Sequence, residues 1–296
     1  MLKKHGFTII YGIILVVFTV YIILDTFVNT QVYTVVGNNN EIISDVSESG
    51  EVISTLDYYQ DNNIEIKINE YTVNSTQIYV ADVQIKDAEF IKTAFANNTY
   101  GKNITDKTSN IANNINAILA INGDYYGVQE KGYVLKNGVV YRDISAGDKE
   151  DLVIYKDGSF EIVSESEIDI YTLLNKGAYN ILSFGPGLIE NGSVGISQNY
   201  EVAKSMKSNP RTAIGLIDNL HYVFVVSDGR TEDSEGLSLY ELAEFMQNEL
   251  NVKTAYNLDG GGSSTMYFNG KIINNPTTNG KKISERSVSD VVYIGY

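Results

Sequence analysis

The pattern of apolar residues separates an N-terminal membrane segment from a long exported part. An unbroken apolar run, Phe7–Leu24, follows two lysines and ends at Asp25. At about 1.5 Å per residue it reaches roughly 27 Å, close to the hydrocarbon thickness of a bilayer. Because a positive flank stays in the cytoplasm, residues 1–25 are predicted to be a single-pass anchor in the cell membrane, with a cytoplasmic N-terminus and an extracytoplasmic remainder. A cleaved signal peptide is the alternative, but no small-residue cleavage site follows the run.

Beyond the anchor, residues 26–60 are predicted to form a stalk, because Gly, Asn, Ser and acidic residues interrupt short apolar stretches. Alternation of apolar and polar residues then begins at Ile64–Ile68 and recurs at Gln77–Ile85, which indicates strands. Residues 61–296 are therefore predicted to be the folded domain.

Hairpin signals recur through this domain. Two-residue pairs that favour type I′ turns stand between apolar or β-branched runs. These pairs are Asn137-Gly138, Asp157-Gly158, Asn191-Gly192 and Asn269-Gly270, and Asp218-Asn219 occupies a similar place between two strand-like runs. So many hairpins predict a mostly antiparallel mixed sheet.

Two segments have helical periodicity, Thr105–Ile115 and Leu239–Leu250. The second carries a capping box, Ser238 with Glu241, and an apolar stripe. Strands with a few packed helices define an α+β domain, preceded here by one transmembrane helix.

Composition restricts the chemistry. The formal net charge of −15 argues against nucleic acid as a partner. The chain has no cysteine and only two histidines, of which His5 precedes the anchor. Thiol nucleophiles and two-histidine metal sites are therefore excluded, and chemistry must come from carboxylates, Arg, Tyr, Ser and backbone amides.

Polar side chains and glycines follow several strand-like runs. The strongest signal is Asn257-Leu258-Asp259-Gly260-Gly261-Gly262-Ser263, a loop that can expose backbone N–H groups beside a carboxylate. A tight glycine turn explains the same residues without function. Three further elements are Asp228-Gly229-Arg230, Asn122-Gly123-Asp124-Tyr125-Tyr126, and Arg211 at the start of a strand. We expect these strand ends to meet on one rim.

The order and spacing of these elements resemble the phosphodiester glycosidase family. The resemblance is carried by Arg211-Thr212-Ala213-Ile214-Gly215, Asp228-Gly229-Arg230, Gly236–Ala243 and Asn257–Thr265, with Ser183–Leu188 and Arg286-Ser287-Val288 as further matches. It is strongest over residues 110–296. Asp124 departs from the family pattern, in which glycine is common at this position.

The resemblance implies a hydrolase that cleaves a sugar-1-phosphodiester, here a phosphate-linked glycan of the envelope or an exopolysaccharide. The implied catalytic residues are Asp259, Asp228, Arg211 and Glu241, although the capping box also explains Glu241. Arg211 would hold phosphate, and one of the two aspartates would activate water or attack the anomeric carbon. The implied substrate-binding residues are Asn122, Gly123, Asp124, Asn257, Gly260, Gly261, Gly262, Ser263, Arg230 and Arg286.

No cofactor is expected. Asp and Asn side chains could hold Ca²⁺, but no spacing matches a calcium loop. Two other function classes stay open. One is a non-catalytic glycan-binding or polysaccharide-assembly module. The other is a serine hydrolase that pairs Ser263 or Ser264 with His221.

Overall fold

The computed structural model describes residues 2–33, 35, 52–198 and 207–296. In these ranges the α-helices are α1 (Leu2–Phe27), α2 (Thr108–Asn114), α3 (Ile170–Asn175) and α4 (Leu239–Asn248). The first ten strands are β1 (Gln31–Val32), β2 (Ile53–Ser54), β3 (Tyr58–Gln60), β4 (Ile64–Val73), β5 (Thr76–Ile85), β6 (Ile91–Phe95), β7 (Gly101–Lys102), β8 (Leu119–Asn122), β9 (Val134–Lys136) and β10 (Val139–Arg142). The later strands are β11 (Glu150–Tyr155), β12 (Phe160–Ser164), β13 (Ala178–Leu182), β14 (Gly187–Glu190), β15 (Ser193–Val194), β16 (Arg211–Asp218), β17 (His221–Ser227), β18 (Thr254–Asn257), β19 (Met266–Phe268), β20 (Lys271–Ile272) and β21 (Asp290–Ile294).

The long apolar helix α1 continues past Asp25 to Phe27. Its segment Ile9–Phe27 is long and apolar enough to cross a membrane, and none of that segment is buried in the protein. A signal sequence would pass the same test. The chain after α1 contacts the domain, because β1 pairs with β7.

Two antiparallel sheets form the body of the domain. A nine-stranded sheet has the order β15-β14-β18-β16-β17-β5-β4-β3-β2, and a five-stranded sheet has the order β20-β19-β8-β21-β6. Strands β11, β12 and β13 form a third sheet, and β9 pairs with β10. Every strand pairing within the described ranges is antiparallel. The nine-stranded sheet also extends into the predicted stalk through β2 and β3.

The two large sheets pack face to face between helices. Alternate residues of β17 point to opposite faces, as the pleat requires. Phe224 enters the core between the sheets, whereas Val225 packs under α4 with Leu242 and Met246. On the outer face of the five-stranded sheet, α2 contributes Ile111 to a smaller cluster. The α+β class is therefore confirmed, with layers in the order helix, sheet, sheet, helix.

Local signals set the hairpins. All five predicted turns join adjacent antiparallel strands, and Asn137, Asn191 and Asn269 have positive φ beside their glycines. Between β16 and β17, however, the residue with positive φ is Leu220 rather than Asp218 or Asn219.

Both predicted helices differ from the structure at their ends, with α4 ending at Asn248 rather than Leu250, and one further short helix is present. The helix predicted from Thr105 begins at Thr108, because Asp106 is extended and forms a β-bridge with Val288. The short helix α3 was not predicted; Asp169 caps it, accepting hydrogen bonds from the N–H groups of Tyr171 and Thr172. The capping box of α4 is present as predicted.

Candidate active site

The candidate residues collect on one rim, where the two large sheets meet. Strands β8, β17 and β18 end there, while β16 and β21 begin there. The register aligns Arg211 with Ser227, and Val291 with Asn122. The strand ends thus lie together on one rim, as expected from the sequence.

Asn122 joins the two sheets at this rim. Its side chain is fully buried; its Nδ2 donates to the Asp259 carbonyl at 2.6 Å, and its Oδ1 accepts from Thr212 Oγ1 at 2.9 Å. A buried amide that is satisfied from both sides fixes its neighbours, since breaking either bond leaves a polar atom without a partner. Asn122 therefore positions the backbone on which Asp259 is carried.

The glycine loop fits closely against its neighbours. A Cβ at Gly260 would lie 2.9 Å from the Pro210 carbonyl oxygen, and one at Gly262 would lie 2.4 Å from Thr278 Oγ1. Gly261 has φ of +62°, and a Cβ there would lie 2.8 Å from Arg230 Nη2. Its N–H donates to the Pro210 carbonyl at 2.8 Å, so that amide serves the loop itself. Glycine at these positions allows the loop to lie directly against Pro210, Arg230 and Thr278.

Asp259 lies at the mouth of this loop, with 13% of its side chain exposed. Its Oδ2 accepts hydrogen bonds from Ser263 Oγ at 2.5 Å and from Arg286 Nη2 at 3.1 Å. Burial raises the pKa of Asp259 above its usual range, while Ser263 and Arg286 oppose the rise. A carboxylate that is reachable and more basic than usual suits proton transfer or nucleophilic attack.

Three arginines lie around the loop. Arg211 is buried, and its Nε and Nη2 donate to the carbonyls of Leu237 and Lys207. Arg230 and Arg286 are exposed. Burial and the nearby charge of Arg230 lower the pKa of Arg211 to about 10, and burial and Arg286 lower the pKa of Arg230. The positive charges of the three arginines are therefore close enough to affect one another. In a chain of strongly negative net charge, they make the surroundings of the glycine loop locally positive, which suits an anion.

Asp228 is held by four hydrogen bonds. Its Oδ1 accepts from Asn274 Nδ2 and Asn275 N, and its Oδ2 accepts from Asn275 Nδ2 and Tyr79 Oη, at distances from 2.8 to 3.3 Å. Asn274 Nδ2 also donates to the Ser264 carbonyl. Asp228 therefore fastens the 274–275 segment to the end of the glycine loop.

Glu241 and Asp124 are also committed within the protein. Glu241 Oε2 accepts from the N–H and hydroxyl of Ser238 in the capping box, and its Oε1 accepts from Asn74. Asp124 is fully buried, and Lys136 Nζ bridges it to Asp290 at 2.9 Å on each side. A Cβ at Gly123 would lie 2.3 Å from the carboxylate of Asp290. We therefore assign Glu241, Asp124 and Gly123 to support of the site.

Asn257 offers a free acceptor at the rim. Its Nδ2 donates to the Gly185 carbonyl at 2.7 Å. Its Oδ1 is buried and has no hydrogen-bond partner among the described residues, and the same holds for the hydroxyls of Ser264 and Thr265.

The serine hydrolase interpretation does not fit the geometry. His221 begins β17 and contacts Asp82, with Nε2 2.7 Å from Oδ1. The rim lies at the other end of this strand, about 20 Å away at roughly 3.3 Å per residue. Ser263 instead donates its hydroxyl to Asp259. Nor does any group of three or more His, Asp or Glu residues in the described ranges lie close enough together to hold a metal.

Several supporting residues were missed by the sequence reasoning. Asn209 accepts from Arg230 Nε and Nη2, and Thr278 accepts from Arg230 Nη1 through its carbonyl. Asn274, Asn275 and Lys136 were also missed. In a chain so rich in asparagine, only the proline that follows them, Pro276, distinguishes Asn274 and Asn275 in the sequence.

Fold and site together describe a sheet-rich α+β domain with a carboxylate and three arginines around a glycine loop. The sequence model of the phosphodiester glycosidase family matches residues 115–295, more than half of the chain. The chain belongs to that family.

Curated relatives agree with this placement. The mouse N-acetylglucosamine-1-phosphodiester alpha-N-acetylglucosaminidase is 29% identical over 174 residues, which cover 54% of this chain and 33% of the relative. The bovine enzyme is 33% identical over 175 residues, covering 54% and 32%. An uncharacterized SPbeta prophage-derived protein of Bacillus subtilis (strain 168), YomE, is 29% identical over 240 residues, covering 79% and 36%. The aligned parts are about a third of the length of these relatives.

Solved structures share the fold. The zebrafish N-acetylglucosamine-1-phosphodiester alpha-N-acetylglucosaminidase catalytic domain, auto-inhibited by its pro-peptide, superposes with a TM-score of 0.62 at 21% identity and covers 90% of this chain and 88% of that one. A hypothetical protein from Synechocystis gives a TM-score of 0.59 at 15% identity, covering 79% and 62%.

Proposed function

We propose that this protein is a membrane-tethered, extracytoplasmic hydrolase that cleaves the bond between a sugar's anomeric carbon and phosphate in an envelope or exopolysaccharide glycan. The observation that carries the proposal is the placement of Asp259 beside Arg286, with Arg230 against the same glycine loop. A phosphate that leaves an anomeric carbon is already stable as an anion, so it needs charge compensation more than protonation. Guanidinium groups meet that need.

The exposure of the arginines divides their roles. Arg230 and Arg286 are exposed and can contact the phosphate. Arg211 is buried and donates to backbone carbonyls. It therefore adds positive charge to the site without contacting the phosphate, and it holds the start of β16 in place. This differs from the expectation that Arg211 itself holds phosphate, because two of its nitrogens are already committed.

The carboxylates divide in the same way. Asp259 activates water or attacks the anomeric carbon, since it is reachable and its pKa is raised. Asp228 positions the loop through its asparagine partners. Asn257 is buried and positions the 185–186 segment, since its Nδ2 and N–H donate to the carbonyls of Gly185 and Pro186.

The test uses the full chain in phospholipid nanodiscs with the methyl phosphodiesters of N-acetylglucosamine, glucose, galactose and mannose 1-phosphate. Release of reducing sugar and methyl phosphate is measured. Asp259→Asn is expected to lower kcat by roughly 10²-fold or more. Asp233→Asn, an exposed acid in the neighbouring loop, is the control and should match wild type. Wild-type rates in Asp259→Asn would exclude the assigned role.

The membrane tether is tested separately. The N-terminal residue of the protein recovered from membranes is determined by sequencing. An intact Leu2–Phe27 segment supports the anchor, whereas cleavage after the helix would identify a signal sequence.

A further inference from the structure

A cavity of about 330 Å³ shares no lining residue with the candidate active site. Its wall includes Tyr33, Tyr100, Tyr141, Arg142, Glu130 and Asp143. The volume falls at the lower end of the roughly 300–1,000 Å³ of ligand pockets. A ligand of one or two sugar rings is of suitable size.

The aromatic wall is held in place by ring–ring contacts. The ring centroid of Tyr100 lies 5.3 Å from that of Tyr33 and 5.1 Å from that of Tyr141. Behind them, Tyr126 stacks on Tyr100 at 5.4 Å, and Phe95 meets Tyr141 edge to face at 4.8 Å. Such contacts fix ring orientation, so the aromatic wall of the cavity is preorganised.

Arg142 provides the polar part of the wall. It is 6% exposed; its Nε donates to the Gly132 carbonyl and its Nη1 to the Gln129 carbonyl. Two backbone carbonyls thus hold the guanidinium in place, so its positive charge is fixed in the wall of the cavity.

The charges of the wall disfavour an anionic ligand. The wall carries one buried cation, Arg142, against two exposed acidic residues, Glu130 and Asp143, so an anion gains nothing from the cavity as a whole. Donors and acceptors together match the vicinal hydroxyls of a sugar, and the tyrosine rings supply apolar surface for its C–H groups. We propose that this cavity binds a neutral pyranose unit of a glycan, at a site separate from Asp259.

The position of Tyr33 places this site near the membrane end of the chain. Tyr33 directly follows β1, and Asn103 Nδ2 donates to the carbonyls of Thr26 and Asn29 at the end of α1. Tyr33 lies six positions after Phe27, so the two are at most about 22 Å apart. The glycan is therefore bound close to the end of the apolar helix.

The test measures binding rather than turnover, so it does not depend on the proposed hydrolysis. The full chain in nanodiscs is titrated with glucose, N-acetylglucosamine, maltose, cellobiose and chitobiose, and with glucuronate and inorganic phosphate as charged probes, by saturation-transfer NMR. Tyr33→Ala removes one wall, whereas Tyr33→Phe keeps the ring. Tyr141→Ala is a second variant, and thermal unfolding verifies the fold of each.

At least one neutral saccharide is expected to bind to wild type and Tyr33→Phe. Its affinity should fall about five-fold or more in Tyr33→Ala and Tyr141→Ala. Arg286→Ala should leave that affinity unchanged, which separates this cavity from the glycine loop. Absence of binding by every neutral probe, preference for the charged probes, or equal affinity in Tyr33→Ala and Tyr33→Phe would overturn the proposal.

Discussion

Replacing Arg286 by glutamine removes the cation that contacts Asp259. In wild type, the pKa of Asp259 is already raised by burial, and Arg286 holds it down in part. If Asp259 reacts as a carboxylate, kcat rises with pH as this group ionises. Loss of Arg286 should raise the pKa further, so that the acid limb of the kcat profile moves to higher pH.

The size of that movement follows from the geometry. Arg286 Nη2 lies 3.1 Å from Asp259 Oδ2, and 42% of the arginine side chain is exposed. Two charges about 4 Å apart interact by about 1 kcal/mol in water and about 4 kcal/mol at an effective dielectric constant of 20. Because the arginine is substantially exposed, the lower figure is the better guide. It corresponds to an increase of about 0.7 unit in the pKa of Asp259.

The assay is kcat against pH for wild type, Arg286→Gln and Arg286→Lys, on a methyl sugar-1-phosphodiester at saturating concentration. Arg286→Lys keeps a positive charge and should move the acid limb less than Arg286→Gln does. The reasoning is refuted if the limb of Arg286→Gln stays in place or moves to lower pH. A change in KM alone would show that Arg286 binds substrate without acting on Asp259.

Three further outcomes follow from the supporting residues. Burial and repulsion from Asp124 raise the pKa of Asp290 to about 7 in the folded protein, against about 3.9 in the unfolded chain. Between these two pH values the folded state binds one more proton than the unfolded state. The stability that Asp290 contributes is therefore complete below about pH 4 and is lost as the pH rises to about 7. Asp290→Asn should therefore lose less stability than wild type between pH 5 and 7.5 in denaturant unfolding; parallel profiles would contradict this. Lys136→Met leaves the two buried carboxylates without a cation and should lower the free energy of unfolding by about 3–5 kcal/mol. Adding Asp124→Asn and Asp290→Asn should restore part of that loss. A loss below about 1 kcal/mol would show that Lys136 is not coupled to these carboxylates as described. Gly261→Ala should displace Arg230 and reduce activity about ten-fold or more. The control is Gly270→Ala, at a glycine with φ of +84° and no atom within 4 Å of an added Cβ, which should only lose about 1–2 kcal/mol of stability. Equal activity in the two variants would exclude contact with Arg230 as the cause.

Local features of this fold could be predicted from the sequence. Asn-Gly pairs set their own turns, and Ser238 with Glu241 caps α4 without help from distant residues. The order of strands could not be predicted, because β5 pairs with β17 across some 140 residues and nothing local encodes that partner. The start of α2 differs from the predicted Thr105 for the same reason, since a bridge to Val288 keeps Asp106 extended.

The candidate site divides in the same way. The order and spacing of the strand ends that carry Asn, Asp, Arg and Gly predicted that these ends meet on one rim. The sequence could not predict which carboxylate faces a ligand, because the hydrogen-bond and ion-pair partners of each carboxylate lie far away in the sequence. Lys136 and Asp290 are 154 positions apart, and Asn274 is 46 from Asp228. Only the folded structure separates Asp259 from the aspartates that are held inside.

Identifying which bond is cleaved, carbon–oxygen or phosphorus–oxygen, tests the proposed glycosidase mechanism most directly. Hydrolysis of methyl N-acetylglucosamine-1-phosphodiester, or of whichever methyl sugar-1-phosphodiester is turned over, is run in ¹⁸O-labelled water. The products are analysed by mass spectrometry and ³¹P NMR. Attack at the anomeric carbon predicts ¹⁸O in the C1 hydroxyl of the released sugar and none in methyl phosphate. Label in the phosphate would show attack at phosphorus and would contradict a glycosidase mechanism.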